Sequence, residues 1–148
     1  MEYIENNKSD GCVFCNAQGQ EDGAENLIAY RGQYAYVILN RYPYTTGHLM
    51  VVPFKHTDSL QGIDDDASQE LFELVRTADR KLRDVYHPKG MNLGMNQGEA
   101  AGAGIAEHIH MHVLPRWIGD ANFLTVIGET RILPEELSDT YRKLKAVF

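Results

Sequence analysis

The sequence predicts an α+β domain: a mainly antiparallel sheet with one long crossover helix and a second helix at the C-terminus. Three observations carry this. Short apolar runs bounded by glycine, proline and asparagine lie on both sides of one amphipathic stretch, residues 71–85. The run from His108 to Val113 alternates imidazole and apolar side chains with the period of a strand. A last amphipathic segment closes the chain after Pro134.

Taken in order, residues 27–31 and 34–39, parted by Gly32-Gln33, read as a β-hairpin. Residues 47–53 form a third strand, short and apolar on both faces. Leu71, Leu74, Val75, Ala78, Leu82 and Val85 then recur at three- and four-residue steps and make one stripe along a helix. Asp66 with Gln69 resembles a capping box at its start, and His87-Pro88 closes it. Residues 90–96 return as a strand, a glycine-rich loop follows at 98–104, and the histidine run is the next strand, stopping at Pro115. Residues 124–127 read as a short strand. Pro134 at a first helical position, with Glu135 and Glu136 behind it, opens a helix that turns Leu137, Tyr141 and Leu144 inward. Residues 16–26 read as an exposed polar loop, and residues 1–11 as the flexible start of a single domain spanning 1–148.

Bulk properties exclude several classes. With 148 residues, 43% hydrophobic and 24% charged, the chain suits one globular domain with its own core. No run approaches the roughly 18–20 apolar residues that span a bilayer, so no membrane partner is expected. The start, Met1-Glu2-Tyr3-Ile4-Glu5, carries no apolar signal region, which makes the cytoplasm the expected compartment. Two cysteines without an export signal do not suggest a structural disulfide. A net charge of -7 argues against a groove for a nucleic-acid polymer, yet a local cluster of donors can still hold a small anion.

Two constellations carry chemistry. The chain has six histidines, and His108, His110 and His112 place half of them on one face of a strand. Three buried imidazoles would each need a polar partner that an apolar core lacks, so the row reads as a site rather than as core. At roughly 3.3 Å per residue the ends of the row stand about 13 Å apart. Tetrahedral zinc holds ligands at about 2 Å, so one ion cannot use all three and the row must divide its roles. The second constellation, Cys12-Val13-Phe14-Cys15, is a two-cysteine hook of the kind that holds one side of a zinc ion. The further ligands are then drawn from His48, His56, His87 and one end of the row. A redox pair would instead sit at a helix start after a strand, and two unliganded reduced thiols are the plain alternative.

These motifs resemble the histidine triad (HIT) superfamily of nucleotidyl hydrolases and transferases, whose signature is His-x-His-x-His followed by two apolar residues. Residues 40–51, Asn-Arg-Tyr-Pro-Tyr-Thr-Thr-Gly-His-Leu-Met-Val, resemble the family's Asn-Arg-x-Pro-x-x-Pro-Gly-His strand, with Thr46 in place of the second proline. Lys55-His56 and Asn96-Gln97-Gly98 match further stretches, and the likeness runs from about Cys12 to Arg116. Residues 94–99, 101–105, 115–123 and 130–134 are similar to the bacterial branch that includes diadenosine tetraphosphate phosphorylases.

The resemblance implies a HIT-like fold and an enzyme that cleaves nucleoside or dinucleoside polyphosphates, diadenosine tetraphosphate among them. By position, His110 would attack the α-phosphorus and carry the nucleotidyl group, while His112 would donate to the non-bridging oxygens. Asn96, Gln97 and the backbone of the loop that includes Gly104 would add donors, and Asn40 would contact the ribose. Ile28, Phe14 and Leu39 are within range of a base-sandwiching role but read more simply as core. Structural zinc would be held by Cys12, Cys15, His56 and His108. His48 becomes a buried, hydrogen-bonded neighbour of the site and His87 an exposed residue. Relatives are commonly homodimers, joined by the helix after the third strand and an adjoining strand.

One departure shifts the expected reaction. Several hydrolase members carry a hydroxyl residue just before the first triad histidine, whereas this chain has Ile105 and Ala106. That leans the reading toward phosphorolysis, with inorganic phosphate as acceptor. The alternatives are a HIT-type hydrolase using water, a non-catalytic nucleotide-binding regulatory module, and an open-site metalloenzyme using two triad histidines as ligands.

Overall fold

The computed structural model describes residues 11–121, 127–128 and 135–148. Among the described residues, three α-helices, α1 (Val13–Gln18), α2 (Asp65–Tyr86) and α3 (Leu137–Val147), accompany five strands. The strands are β1 (Ile28–Arg31), β2 (Ala35–Leu39), β3 (Leu49–Pro53), β4 (Gly90–Gly94) and β5 (Met111–Arg116). They form one antiparallel sheet in the order β1-β2-β3-β5-β4. Because β3 and β4 both run antiparallel to β5, they are parallel to each other, and a tight turn cannot join them. The 22 residues of α2 supply the crossover. Every residue of β2 and β3 is buried, as expected of central strands covered on both faces.

The stripe on α2 is buried as the spacing requires, from Leu71 to Leu82, with Val85 packed against its edge. The cap lies two residues earlier than the capping-box reading put it. Asp64 accepts from the Ala67 N–H at 2.9 Å, while Gln69 turns along the helix and donates to Glu73 at 3.1 Å. Asp65 and Asp66 occupy the first turn, where the positive end of the helix dipole favours them. At the other end His87 takes a left-handed conformation, φ 48°, and its N–H donates to the Arg83 carbonyl at 3.1 Å.

The helix also fastens the first hairpin. The Glu70 carboxylate accepts from the backbone N–H groups of Gln33 (2.9 Å), Tyr34 and Ala35 (2.7 Å), three donors of one turn. A side chain at Gly32 would meet that carboxylate and the Ala35 carbonyl at 2.9 Å, so the turn needs glycine there.

Other boundaries differ from the sequence reading as well, and β3 begins at Leu49 rather than at residue 47. α1 occupies residues 13–18, so the stretch 16–26 is not wholly loop. β4 ends at Gly94 rather than Asn96. β5 begins at Met111, so of the three histidines His112 alone lies in the regular strand, which continues one residue beyond Pro115. α3 begins at Leu137 rather than Pro134, because Glu135 is drawn out of the helix. Its Oε2 accepts from the hydroxyls of Tyr86 (2.6 Å) and Thr140 (2.7 Å), and Lys143 pairs with its other oxygen. Tyr141 and Leu144 turn inward as expected, with the Tyr141 hydroxyl donating to the Ile28 carbonyl at 2.9 Å. Pro134, residues 124–126 of the expected late strand and residues 1–10 of the expected flexible start lie outside the described residues. Ile127 is an exposed turn residue. Among the described residues no helix is long and apolar enough to cross a membrane.

Candidate active site

The imidazoles of the row are fixed in defined tautomers, and the partners show which. His108, fully buried, has Nε2 at 2.8 Å from the Pro53 carbonyl. A carbonyl only accepts, so the proton is on Nε2 and the lone pair on Nδ1. His110 Nδ1 lies 2.9 Å from the His108 carbonyl, which puts its proton on Nδ1 and its lone pair on Nε2. Burial holds the pKa of His110 below the ordinary 6.5, so the ring is neutral at physiological pH.

His112 is set by a side chain. The Tyr44 N–H donates to His48 Nδ1 at 3.2 Å, which leaves the His48 proton on Nε2. That proton is donated to His112 Nδ1 at 2.8 Å, so His112 presents an N–H on Nε2. Burial, reinforced by His110, lowers the pKa of His112 to about 4. The rings of His110 and His112 stand 4.9 Å apart, centroid to centroid. One offers a lone pair and its neighbour a proton. That pairing suits attack on phosphorus with a donor for the oxygen that gains charge.

Beyond His108 the row changes character. Cys12 and Cys15 Sγ with His56 and His108 Nδ1 all lie within 4.8 Å of one another. Cys12 Sγ is 3.4 Å from His108 Nδ1, Cys15 Sγ 3.4 Å from His56 Nδ1, and the two ring nitrogens 3.3 Å apart. Two thiols and two imidazoles, one with its lone pair turned inward by the Pro53 carbonyl, fit a tetrahedral zinc ion. His48 is engaged with His112 instead, and His87 is exposed at the end of α2. The four residues that the resemblance singled out are the four brought together.

A cavity of about 360 Å³ adjoins the row, lined by Phe14, Asn16, Leu39, Asn40 and Ile105 among others. The Phe14 ring packs 4.9 Å from His110 and 5.4 Å from His108, so the cavity wall touches the prospective nucleophile. Asn40 Oδ1 accepts from the Tyr42 N–H at 2.8 Å, which leaves the Asn40 amide NH2 as a donor. Ile28 is fully buried and does not line the cavity, whereas Phe14 and Leu39 do. Asn96 and Gln97 follow the Gly94–His112 pair, on the side toward His110. Asn96 Nδ2 donates to the Gly102 carbonyl at 3.4 Å, and Gln97 Oε1 accepts from the Leu60 N–H at 2.8 Å, leaving its NH2 to donate. Gly104 lies beside Ile105 in a loop whose Gly98 and Gly102 take positive φ, 85° and 93°. Sequence reasoning missed the contribution of α1, from which Val13, Asn16 and Ala17 also line the cavity. The signal was there in the apolar spacing Val13, Phe14, Ala17 across the two cysteines.

An antiparallel sheet with this row of histidines defines a histidine-triad protein. The model of the HIT domain matches residues 22–117, and the chain belongs to that family. It is 47% identical over 120 residues to an AP-4-A phosphorylase from Mycobacterium tuberculosis, an alignment covering 81% of this chain and 62% of the relative. The chain thus spans less than two thirds of that relative's length. A Zn-bound histidine triad family protein from Mycobacterium smegmatis superposes with a TM-score of 0.72 at 29% identity, covering 93% of this chain and 92% of the other. A hypothetical histidine triad nucleotide-binding protein from Sulfolobus tokodaii gives 0.70 at 28% identity, with 92% and 88% covered.

Proposed function

We infer that the chain transfers a nucleotidyl group from a nucleoside or dinucleoside polyphosphate, such as diadenosine tetraphosphate, through an adduct on His110, with inorganic phosphate as acceptor. One observation carries the reading: the His110 Nδ1–H is held by the His108 carbonyl, so a neutral, buried ring offers its Nε2 lone pair. In the first step Nε2 bonds to the α-phosphorus as the bond to the bridging oxygen breaks, and the remaining polyphosphate leaves as an anion. In the second, a phosphate oxygen bonds to the same phosphorus, the P–N bond breaks and the lone pair returns to Nε2. Diadenosine tetraphosphate would give ATP and then ADP. Splitting one displacement into two is what covalent catalysis supplies.

His112 Nε2–H donates to the non-bridging oxygens as charge builds there, with the amides of Asn96 and Gln97 and the backbone near Gly104 as further donors. The Asn40 amide binds the ribose, and Phe14, Leu39 and Ile105 enclose the base. Ile105 and Ala106 offer the leaving group no hydroxyl. A polyphosphate departs as a stabilised anion without taking up a proton, so it suits this site better than an amine leaving group would. The name of the mycobacterial relative supports the same class of substrate.

Cys12, Cys15, His56 and His108 would hold zinc in a structural role, which the Zn-bound mycobacterial neighbour supports. The metal would supply a fixed dication behind the nucleophile. A cytoplasmic setting keeps such thiols reduced. A homodimer would join at β4, one of the two outer strands of the sheet among the described residues, and at α2. Exposed Phe72 (61%) and Leu93 (50%) line one groove there.

Incubation with diadenosine tetraphosphate is expected to yield ADP only when inorganic phosphate is present, whereas AMP and ATP without phosphate would assign water as acceptor. His110→Ala is expected to bind nucleotide and lose turnover. Wild-type rates in that variant would overturn the adduct.

A further inference from the structure

The geometry points to nucleoside binding that depends on the metal, with Cys12 and Cys15 acting through α1 as positioning residues for a wall of the cavity. This rests on the nucleotide-transfer reading above. α1 carries both sets of groups. Cys12 is its N-cap residue and Cys15 lies one turn on, and both sulfurs face His56 and His108. Val13, Asn16 and Ala17 of the same helix line the cavity. Phe14 belongs to both, lining the cavity and packing its ring on His108 and His110.

Six residues do not hold a helix by themselves, since isolated helices below about 12–15 residues are marginal in water. Here the helix has neither a side-chain cap nor an acidic residue in its first turn to steady its start. The Tyr36 hydroxyl donates to the Phe14 carbonyl (3.1 Å) between the two cysteines, and Asn26 and Arg31 donate to the Ala17 (3.1 Å) and Gln18 (2.9 Å) carbonyls at the end of the helix. At Cys12, where it begins, and at Cys15 it is tied through the two sulfurs. A thiol is a weak donor and a weak acceptor, so thiol-to-imidazole contacts hold this end loosely. Coordinate bonds from the same sulfurs would fix it, and with it the wall formed by Val13, Asn16 and Ala17.

Two ligands that favour one arrangement of a shared element must strengthen each other by the same factor. Adenosine 5′-monophosphate is a suitable probe because it touches the base wall and is not consumed. Its Kd, measured by calorimetry, is expected to rise about 10- to 100-fold when zinc is stripped with a chelator, and to return when zinc is restored. Ribose 5-phosphate, which lacks the base and so does not reach α1, is expected to change by less than about threefold. In the reverse direction, saturating adenosine monophosphate is expected to tighten zinc binding by the same factor in a chelator competition. Equal nucleotide affinity in the loaded and stripped proteins overturns the proposal and leaves the nucleotide-transfer reading standing. Failure of the zinc-loaded protein to bind the nucleotide at all overturns both. Should circular dichroism show that stripping unfolds the chain, the competition decides. Ribose 5-phosphate tightening zinc as strongly as the nucleotide would assign the metal to general folding and overturn the proposal.

Discussion

Replacing His48 with phenylalanine removes the middle member of a relay that sets the tautomer of His112. The imidazole accepts from the Tyr44 N–H at 3.2 Å and donates to His112 Nδ1 at 2.8 Å, and the residue is only 1% exposed. Phenylalanine keeps a planar ring there, larger than imidazole by about one methylene, so a modest packing cost adds to the polar loss. Tyr44 is nearly half exposed, and water can take over its N–H. His112 Nδ1 is the acceptor left without its partner, at a cost of about 1–3 kcal/mol. The larger effect is chemical. Without the donated proton, His112 is free to move its own hydrogen to Nδ1 and present a lone pair, not an N–H, to the phosphate oxygens. Losing one such donor outright lowers kcat about 10²- to 10³-fold. A tautomer that is biased rather than abolished is expected to lower it about 10- to 100-fold. KM is expected to stay within about threefold, because His48 contacts His112 rather than the nucleoside cavity. Steady-state kinetics with diadenosine tetraphosphate reads the split. His48→Gln, which can accept and donate through one amide, is expected to recover part of the lost rate. A folded His48→Phe enzyme with wild-type kcat would refute the relay.

On the proposed mechanism the acid limb of kcat/KM is expected to have an apparent pKa below 6.5, because His110 would attack only when neutral and burial lowers its pKa; a limb above 7 would contradict that assignment. Stability should follow the same sign. The folded pKa of His112, about 4, lies below its ordinary 6.5, so its contribution is complete above 6.5 and is lost as pH falls toward 4. After allowance for solvent screening the loss is roughly 2 kcal/mol, and urea titrations at pH 7 and pH 4.5 giving equal stability would exclude it. Glu70→Ala removes one acceptor from three turn N–H groups and is expected to cost about 2 kcal/mol, read as a lower urea midpoint; an unchanged midpoint would show that water serves the turn equally well. The proposed dimer predicts a dimer mass for the wild type in light scattering and a monomer mass for Phe72→Glu with Leu93→Lys; an unchanged dimer mass would move the contact elsewhere, and a monomeric wild type would remove it.

What the sequence revealed and what it hid divide along the range of the interactions. The stripe from Leu71 to Leu82 specified α2 because a helix repeats every 3.6 residues whatever it packs against. The triad and the two cysteines were visible because spacing alone limits what one ion can hold, and the resemblance then selected His56 among the remaining histidines. Ends of elements were less legible. Asp64, Asp65 and Asp66 are chemically alike, and which becomes the cap depends on where the chain enters from the Leu60–Gly62 turn. The start of α3 is decided by Tyr86, 49 residues away from Glu135 in the chain. Glu70 looks like an ordinary exposed helix carboxylate until the hairpin turn is folded beneath it. The resemblance placed His48 beside the site as a buried, hydrogen-bonded residue, but neither its Tyr44 donor nor its His112 acceptor follows from the Gly-His motif.

The irregular start of β5 is what fixes the chemistry of the row. Inside a sheet, backbone carbonyls are engaged by neighbouring strands and are not available to side chains. Here the pairing with β3 reaches only Val51–Met111, and that with β4 only Gly94–His112. Two residues past Val51 stands Pro53, which has no N–H with which to extend the ladder. Before Met111 the chain therefore makes other bonds. The Ile109 N–H donates to the Thr57 carbonyl at 2.8 Å, and the His108 carbonyl accepts the His110 Nδ1–H at 2.9 Å. The Pro53 carbonyl in turn accepts the His108 Nε2–H at 2.8 Å. Two carbonyls thus set two tautomers, one turning a lone pair toward the cysteines and the other freeing Nε2 of His110. His112 lies inside the ladder opposite Met50, and its tautomer is set by accepting a hydrogen bond from the His48 imidazole instead. A strand running regularly through His108 would have kept all three rings on one face while engaging the carbonyl that orients His110. Alternation places the histidines side by side, and the end of the ladder assigns their different tasks.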